Sequence, residues 1–226
     1  MADHATTLRE RPAWLPRPAF PFQSRFVEIE AKRVHYIDEG AGPALLFVSA
    51  GQWSFIFRDV ILRLRHQFRC LTLDFPGSGL SPDAVDRDQS VRANAWVLDG
   101  FIDALDLQDI TMVVHDAGGP IGFLIATMRP ERFRALVISN TFGWPLREYP
   151  SVRLKTKLAD IPVLTLFGGK NDPLGWQRRF GLMFRNVTAV RIEDGHRFPF
   201  NDDPDRYAAA IGDWWAKKVA EAHRQF

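Results

Sequence analysis

Val114-His115-Asp116-Ala117-Gly118-Gly119-Pro120 lies between an apolar stretch, Ile110-Thr111-Met112-Val113, and a second one, Ile121-Gly122-Phe123-Leu124-Ile125-Ala126. The first reads as a buried strand and the second as a helix, so the residues between them form a strand–turn–helix junction. Small residues let the chain turn sharply there and lift one side chain above the end of the sheet. That side chain is Asp116. Its type sets the chemistry, because a carboxylic acid with an ordinary pKa near ~3.9 is ionised at neutral pH and needs no base to make it a nucleophile.

Outward from this junction the pattern alternates. Phe26-Val27-Glu28-Ile29 and Val34-His35-Tyr36-Ile37 read as a hairpin, and Ala44 to Val48 as a continuous apolar strand. Trp53 to Gln67 reads as a helix, Arg69 to Leu73 as a buried strand, and Asp74-Phe75-Pro76-Gly77-Ser78-Gly79 as a turn. Val91, Ala95, Leu98, Ile102 and Leu105 recur at helical spacing behind an acidic cap candidate, Asp88. Ala135 to Ile138, Val163 to Phe167 and Thr188 to Ile192 are further short strands. Asp203-Pro204 then opens a helix with Tyr207, Ile211, Trp215 and Val219 on one face. The tryptophans are expected mostly in the core.

Strands alternating with helices after a hairpin predict an α/β fold: a mostly parallel, twisted sheet of about eight strands with helices on both faces. Residues 1–24, with Pro12, Pro16, Pro18 and Pro21, are expected to form an extended lead-in that pairs poorly, and residues 25–226 a single domain.

Composition narrows the function classes. Of 226 residues, 46% are hydrophobic and 25% charged, and 29 basic against 27 acidic side chains leave +2. Without blocks of like charge, neither a nucleic-acid footprint nor a membrane-surface patch is expected. The single cysteine, Cys70, falls in an apolar strand and has no intrachain partner. With no signal-peptide pattern and no membrane-length apolar run, the expected location is the cytoplasm.

Two loops after strands carry residues able to work with Asp116: Gly168-Gly169-Lys170-Asn171-Asp172-Pro173 and Glu193-Asp194-Gly195-His196. A parallel sheet delivers all three loops to its carboxyl edge, where ligands bind. The order nucleophile, acid, histidine is that of α/β-hydrolases. Asp116 would attack a carbon bearing a leaving group and form an ester, and His196, oriented by Asp172, would activate the water that hydrolyses it. The N–H of Ala117 and one from the loop after Val48 would hold the oxyanion. The scheme needs no metal or organic cofactor. Read alone, Asp172 fits equally a helix cap after Asn171. His115 reads as a packing residue, Asp74 as a bonding partner of its own turn, and His35 as an ordinary strand residue.

These segments resemble the haloalkane dehalogenase family of α/β-hydrolases, with epoxide hydrolases nearby. The resemblance is carried by Arg11-Pro12-Ala13-Trp14-Leu15-Pro16, the hairpin through Gly40, and Trp53-Ser54-Phe55. It continues through Leu73 to Ser81, Asp116 to Ile121, Arg129-Pro130-Glu131-Arg132-Phe133 and Asn140 to Pro145, and resumes from Ile161 to Trp215. It implies an α/β-hydrolase fold, displacement of halide by Asp116, a small apolar substrate, and a triad completed by His196 and Asp172.

Three departures accompany it. The family's halide-holding asparagine falls on Ala50 or Gly51, leaving Gln52 as the side chain of that loop able to reach the site. The family's tryptophan after the nucleophile is Ala117. Single donors of this kind count for roughly 3 kcal/mol. Finally, the helical cap expected before Val163 is reduced to a connection over 146–160, which would leave apolar surface for self-association. The residues thus leave open an epoxide or other small-electrophile hydrolase, and a non-catalytic binding protein with a vestigial triad.

Overall fold

Odd and even positions of the central strands point to opposite sides of the sheet, and both sets are apolar, which obliges both faces to be covered. The computed structural model of the chain describes residues 6–8, 12–82, 88–142 and 158–220. Among these residues nine strands form one sheet, β1 (Thr7–Leu8), β2 (Arg25–Ile29), β3 (Lys32–Glu39), β4 (Ala44–Ala50), β5 (Arg69–Leu73), β6 (Ile110–Asp116), β7 (Phe133–Thr141), β8 (Val163–Gly168) and β9 (Val187–Ile192). Their order is β1-β2-β3-β5-β4-β6-β7-β8-β9. The β2–β3 hairpin and its neighbours pair antiparallel, and everything from β5 through β4 to β9 pairs parallel.

On one face Leu46, Val48, Met112, Val114, Leu136 and Ile138 pack with helices α2 (Val91–Ala104) and α3 (Gly118–Met128) through Leu98, Phe101, Ile102, Ile121 and Ile125. On the other, Leu45, Phe47, Val113, Val137, Leu164 and Leu166 meet α1 (Arg58–Leu64) and the C-terminal helix through Val60, Ile61, Leu64, Tyr207, Ile211 and Trp214. Each fully buried side chain of this kind contributes roughly 1.5–3 kcal/mol, so the two faces fix the register of β4, β6, β7 and β8.

The shorter elements depart from expectation in informative ways. Thr7 and Leu8 pair with Phe26 and Arg25, so the lead-in adds a ninth strand, and its Leu15, Phe20 and Phe22 are buried. The helix expected over Trp53 to Gln67 is a 3₁₀ turn, Ser54–Phe57, followed by α1. Helix α2 is capped by Ser90, whose Oγ accepts from Ala93 N at 3.1 Å. Asp88 in turn takes the N–H and hydroxyl of Ser90. Two short α-helices are additional, α4 (Trp176–Gly181) and a single turn, α5 (Pro199–Asp202). The last helix, α6 (Pro204–Trp214), begins under Asp203, which accepts from Arg206 N, and runs on with π-helical spacing to Ala220. Trp214, three residues after Ile211, enters the core while Trp215 is partly buried, and the π-helical stretch that follows buries Val219. Tryptophan is less uniformly buried than expected: Trp14 is 65% and Trp96 42% exposed. Of the connection over 146–160, residues 146–157 lie outside the described residues, as do Trp144 and Tyr149. Leu158 and Ala159 are buried.

Candidate active site

Asp116 ends β6 with φ 49°, the left-handed conformation that side chains other than glycine adopt at a cost of roughly 1–3 kcal/mol. The neighbouring glycines make that turn possible. A Cβ on Gly118 would lie 2.2 Å from the carbonyl oxygen of Val48, and one on Gly119 2.0 Å from Thr141 Oγ1. The elbow is therefore pressed against β4 on one side and β7 on the other. Thr141 Oγ1 donates to the Asp116 carbonyl at 2.5 Å. Ala117 follows with helical angles at the start of α3, so its N–H belongs to the first-turn donors that the helix itself cannot satisfy.

Sheet register puts Ala50 level with Asp116 on the adjacent strand. Gly51 then turns at φ 80° with open space where a Cβ would stand, and neither residue brings a side-chain donor. Gln52 does. Ser49 Oγ donates to Gln52 Oε1 at 2.9 Å, which turns the amide nitrogen toward Asp116 Oδ2, 3.4 Å away. Behind this pair lies His115, fully buried against the rings of Phe198 and Phe200. Its Nε2 is 2.8 Å from the carbonyl of Arg197, which can only accept, so Nε2 carries the hydrogen; Nδ1 faces Ser49 Oγ at 3.4 Å. Desolvation lowers the His115 pKa from 6.5 to about 4, against the opposing pull of that carbonyl and of the Asp116 charge.

The loops after β8 and β9 are joined through their backbones. Gly168 and Gly169 have no room for a Cβ against the carbonyls of His196 and Glu193, and Lys170 N donates to Gly195 O at 2.9 Å. Asn140, at φ 34° near the end of β7, bridges this loop. Its Oδ1 accepts from Gly168 N at 2.7 Å and its Nδ2 donates to Asn171 O at 3.1 Å.

The sequence-predicted site residues thus lie at one edge of the sheet, each with specific bonds of its own. Asp172, its side chain 3% exposed, caps α4: Oδ1 accepts from Trp176 N at 2.6 Å and Oδ2 from Gln177 N at 3.1 Å, with Arg191 3.8 Å from Oδ2. The ring of His196 is 64% exposed. Its Nδ1 lies 3.7 Å from Asp202 Oδ2, and the same oxygen accepts from the His196 backbone N–H at 2.6 Å. Among the described residues no hydrogen bond joins His196 to Asp116 or Asp172. The cation on Asp116 is Arg197, whose Nη2 pairs with Oδ2.

Arg197, Ser49, Thr141 and Asn140 escaped sequence reading. Arg197 alone had an available signal, its place directly after His196.

A second Ser-His-Asp arrangement has a different meaning. Ser24 Oγ lies 3.3 Å from His35 Nε2, and His35 Nδ1 lies 2.8 Å from Asp74 Oδ2. His35 and Asp74 are fully buried, so nothing can reach them. Asp74 also accepts from Ser54 N at 2.6 Å and Leu80 N at 2.9 Å, which makes the group a clamp on the turn after β5. His35 is therefore a bonded core residue, more than an ordinary strand position.

A family model described as the alpha/beta hydrolase fold matches residues 43–221. Haloalkane dehalogenase 2 of Mycobacterium tuberculosis is 39% identical over 127 residues, 56% of this chain and 44% of that protein. The cis-3-alkyl-4-alkyloxetan-2-one decarboxylase of Shewanella oneidensis is 37% identical over 130 residues, 56% of this chain and 41% of that protein. The chain thus spans less than half the length of these curated relatives. Among solved structures, an epoxide hydrolase from Bacillus megaterium superposes with a TM-score of 0.72 at 15% identity, covering 84% of this chain and 99% of that one. With the elbow, the strand order and the loop arrangement in agreement with that match, the chain belongs to the α/β-hydrolase fold family.

Proposed function

We propose that the protein is a hydrolase that works through an ester on Asp116, as a relative of the haloalkane dehalogenases. One observation carries the reading: a carboxylate stands at a left-handed elbow, with the Ala117 N–H and the Gln52 amide beside it. Asp116 Oδ bonds to a saturated carbon while the bond to its leaving group breaks, and the halide departs with the electron pair. Water then adds to the ester carbonyl as His196 takes its proton. The acyl C–O bond breaks, and the alcohol leaves with that proton, restoring Asp116. Ala117 N–H and a donor from the Ala50-Gly51-Gln52 loop stabilise the charge on the carbonyl oxygen. Asp172 acts on His196 from the adjoining loop once the ring turns from Asp202. Its capping bonds hold it in place for that role. The unbridged Cys70 suits a reducing cytoplasm, and self-association is a property to be measured alongside activity.

The absence of side-chain halide donors at Ala50, Gly51 and Ala117 favours a second substrate class, strained electrophiles whose oxygen stays attached, such as epoxides. The pairing of His196 with Asp202 and of Asp116 with Arg197 favours a third reading, a binding protein without turnover. One experiment separates the three. Wild type and His196→Ala are incubated with 1-bromobutane, 1,2-dibromoethane and styrene oxide, and intact mass and halide are followed. An adduct on Asp116 that accumulates in the variant supports the ester mechanism, and its mass identifies the class. Halide or diol released by the variant with no adduct contradicts that mechanism. Silence in both proteins with every probe leaves the binding reading standing.

A further inference from the structure

The ester mechanism leaves one charged group at the nucleophile without a task. Arg197 pairs with Asp116 Oδ2, yet its backbone is fixed from behind, where its carbonyl accepts from buried His115. Its guanidinium carbon lies 5.4 Å from the Phe198 ring centroid, and its side chain is 53% exposed. The main chain is anchored while the charged end is more than half exposed beside Asp116.

We infer that Arg197 is a specificity-determining residue that receives a carboxylate carried by the substrate on the carbon bearing the leaving group. The inference rests on Asp116 being the nucleophile. A neutral electrophile must reach an oxygen that a cation already holds, and it offers that cation nothing in exchange. An anionic substrate replaces one carboxylate on Arg197 with another, and the guanidinium has five N–H groups with which to hold it in a two-point fork. Charge counting points the same way. Without Arg197 a carboxylate substrate would meet the bare charge of Asp116, whereas with it the site is neutral before binding. Binding also draws the guanidinium off Oδ2 and frees the attacking lone pair. With a 2-halocarboxylate, Asp116 Oδ then bonds to C2, the carbon–halogen bond breaks, halide leaves with the electrons, and hydrolysis of the ester gives a 2-hydroxy acid.

The test compares 2-bromopropanoate with 2-bromopropanamide, which share the reacting carbon and leaving group. Wild type, Arg197→Lys and Arg197→Met are assayed for bromide release, His196→Ala is examined by intact mass for an adduct with either bromide, and propanoate binding is measured by calorimetry, with circular dichroism to verify folding. Wild type should favour the acid in kcat/KM by roughly 10- to 100-fold. Arg197→Met should lose that preference mainly through KM and gain rate on the amide, and Arg197→Lys should restore part of it. Propanoate should bind wild type and not Arg197→Met. Equal kcat/KM for acid and amide in wild type, or propanoate binding that survives Arg197→Met, overturns the assignment. Bromide release and adducts that persist without an acid preference would leave the ester mechanism intact and discard Arg197 alone. Absence of any adduct with retained, Arg197-dependent propanoate binding would do the reverse.

Discussion

Stability should rise with pH across the window between about 4 and 6.5 because of one buried imidazole. His115 is neutral in the folded protein, its pKa lowered from 6.5 to about 4 mainly by desolvation among Phe198, Phe200 and the sheet. Below 6.5 the unfolded chain binds a proton that the folded chain refuses, so protonation pulls the equilibrium toward unfolding. The loss continues until pH falls to the folded value, below which both states are protonated and it levels off. The gap corresponds to roughly 3 kcal/mol at full development, comparable to a large single-residue effect. His115→Gln offers an amide donor to the Arg197 carbonyl but has no proton to gain. Urea unfolding of both proteins at constant ionic strength, every half pH step across the window, cancels the groups they share. The difference between them should shift in favour of wild type by about 3 kcal/mol as pH rises. A flat difference, or an imidazole of the folded protein that NMR shows titrating at the ordinary value, would refute the assignment of desolvation as the dominant cause.

Other perturbations separate packing from chemistry. Gly119→Ala should destabilise by about 1–3 kcal/mol in urea melts, and Thr141→Ala in the same chain should return part of that, because the clash is with a removable hydroxyl. Gly118→Ala meets the backbone of Val48, so no side-chain truncation should rescue it. Asp172→Ala should cost about 1–2 kcal/mol through the α4 cap whatever its part in turnover, and amide exchange at Trp176 and Gln177 should rise with it. Asp74→Ala should cost about 3–5 kcal/mol, measured by thermal melting, since it leaves His35 and the N–H groups of Ser54 and Leu80 buried without an acceptor.

Much of the edge that carries the site was legible because its strands are long enough to show what they bury. β4, β6, β7 and β8 are continuous apolar runs, and a parallel sheet leaves no choice about where the loops after them emerge. β1 could not be read, since two exposed residues owe their pairing to the β2 edge rather than to any pattern of their own. α4 is too short for helical periodicity and follows Gly175 at φ 62°, so Asp172 is the sequence's main hint of it. That hint was ambiguous, because the same carboxylate serves a cap and an acid equally well on paper. The bonds of Arg197 were invisible for a different reason. They arise when α5 turns the chain after His196 so that the carbonyl of Arg197 meets His115, a contact between residues 82 positions apart.

The contacts at this edge fall into two classes of cost, and the difference bears on how the ion pair is understood. The three loops are held by backbone against backbone: Gly118 on Val48, Gly168 on His196, Gly169 on Glu193, with Asn140 bridging. Moving any of them breaks buried hydrogen bonds and close packing together. The exposed side chains beside Asp116 are held far less firmly. Arg197 is more than half exposed where it meets Asp116, and an ion pair in such a setting is worth about 0–1 kcal/mol in water. His196, still more exposed, turns at comparable cost. A resting pair of this strength does not disable the carboxylate. It keeps the charge covered until a ligand carrying its own carboxylate draws the guanidinium away, and the pairing of Arg197 with that ligand then gains from the exclusion of water. The fixed frame therefore settles which groups can meet, and the arriving molecule settles which of them do.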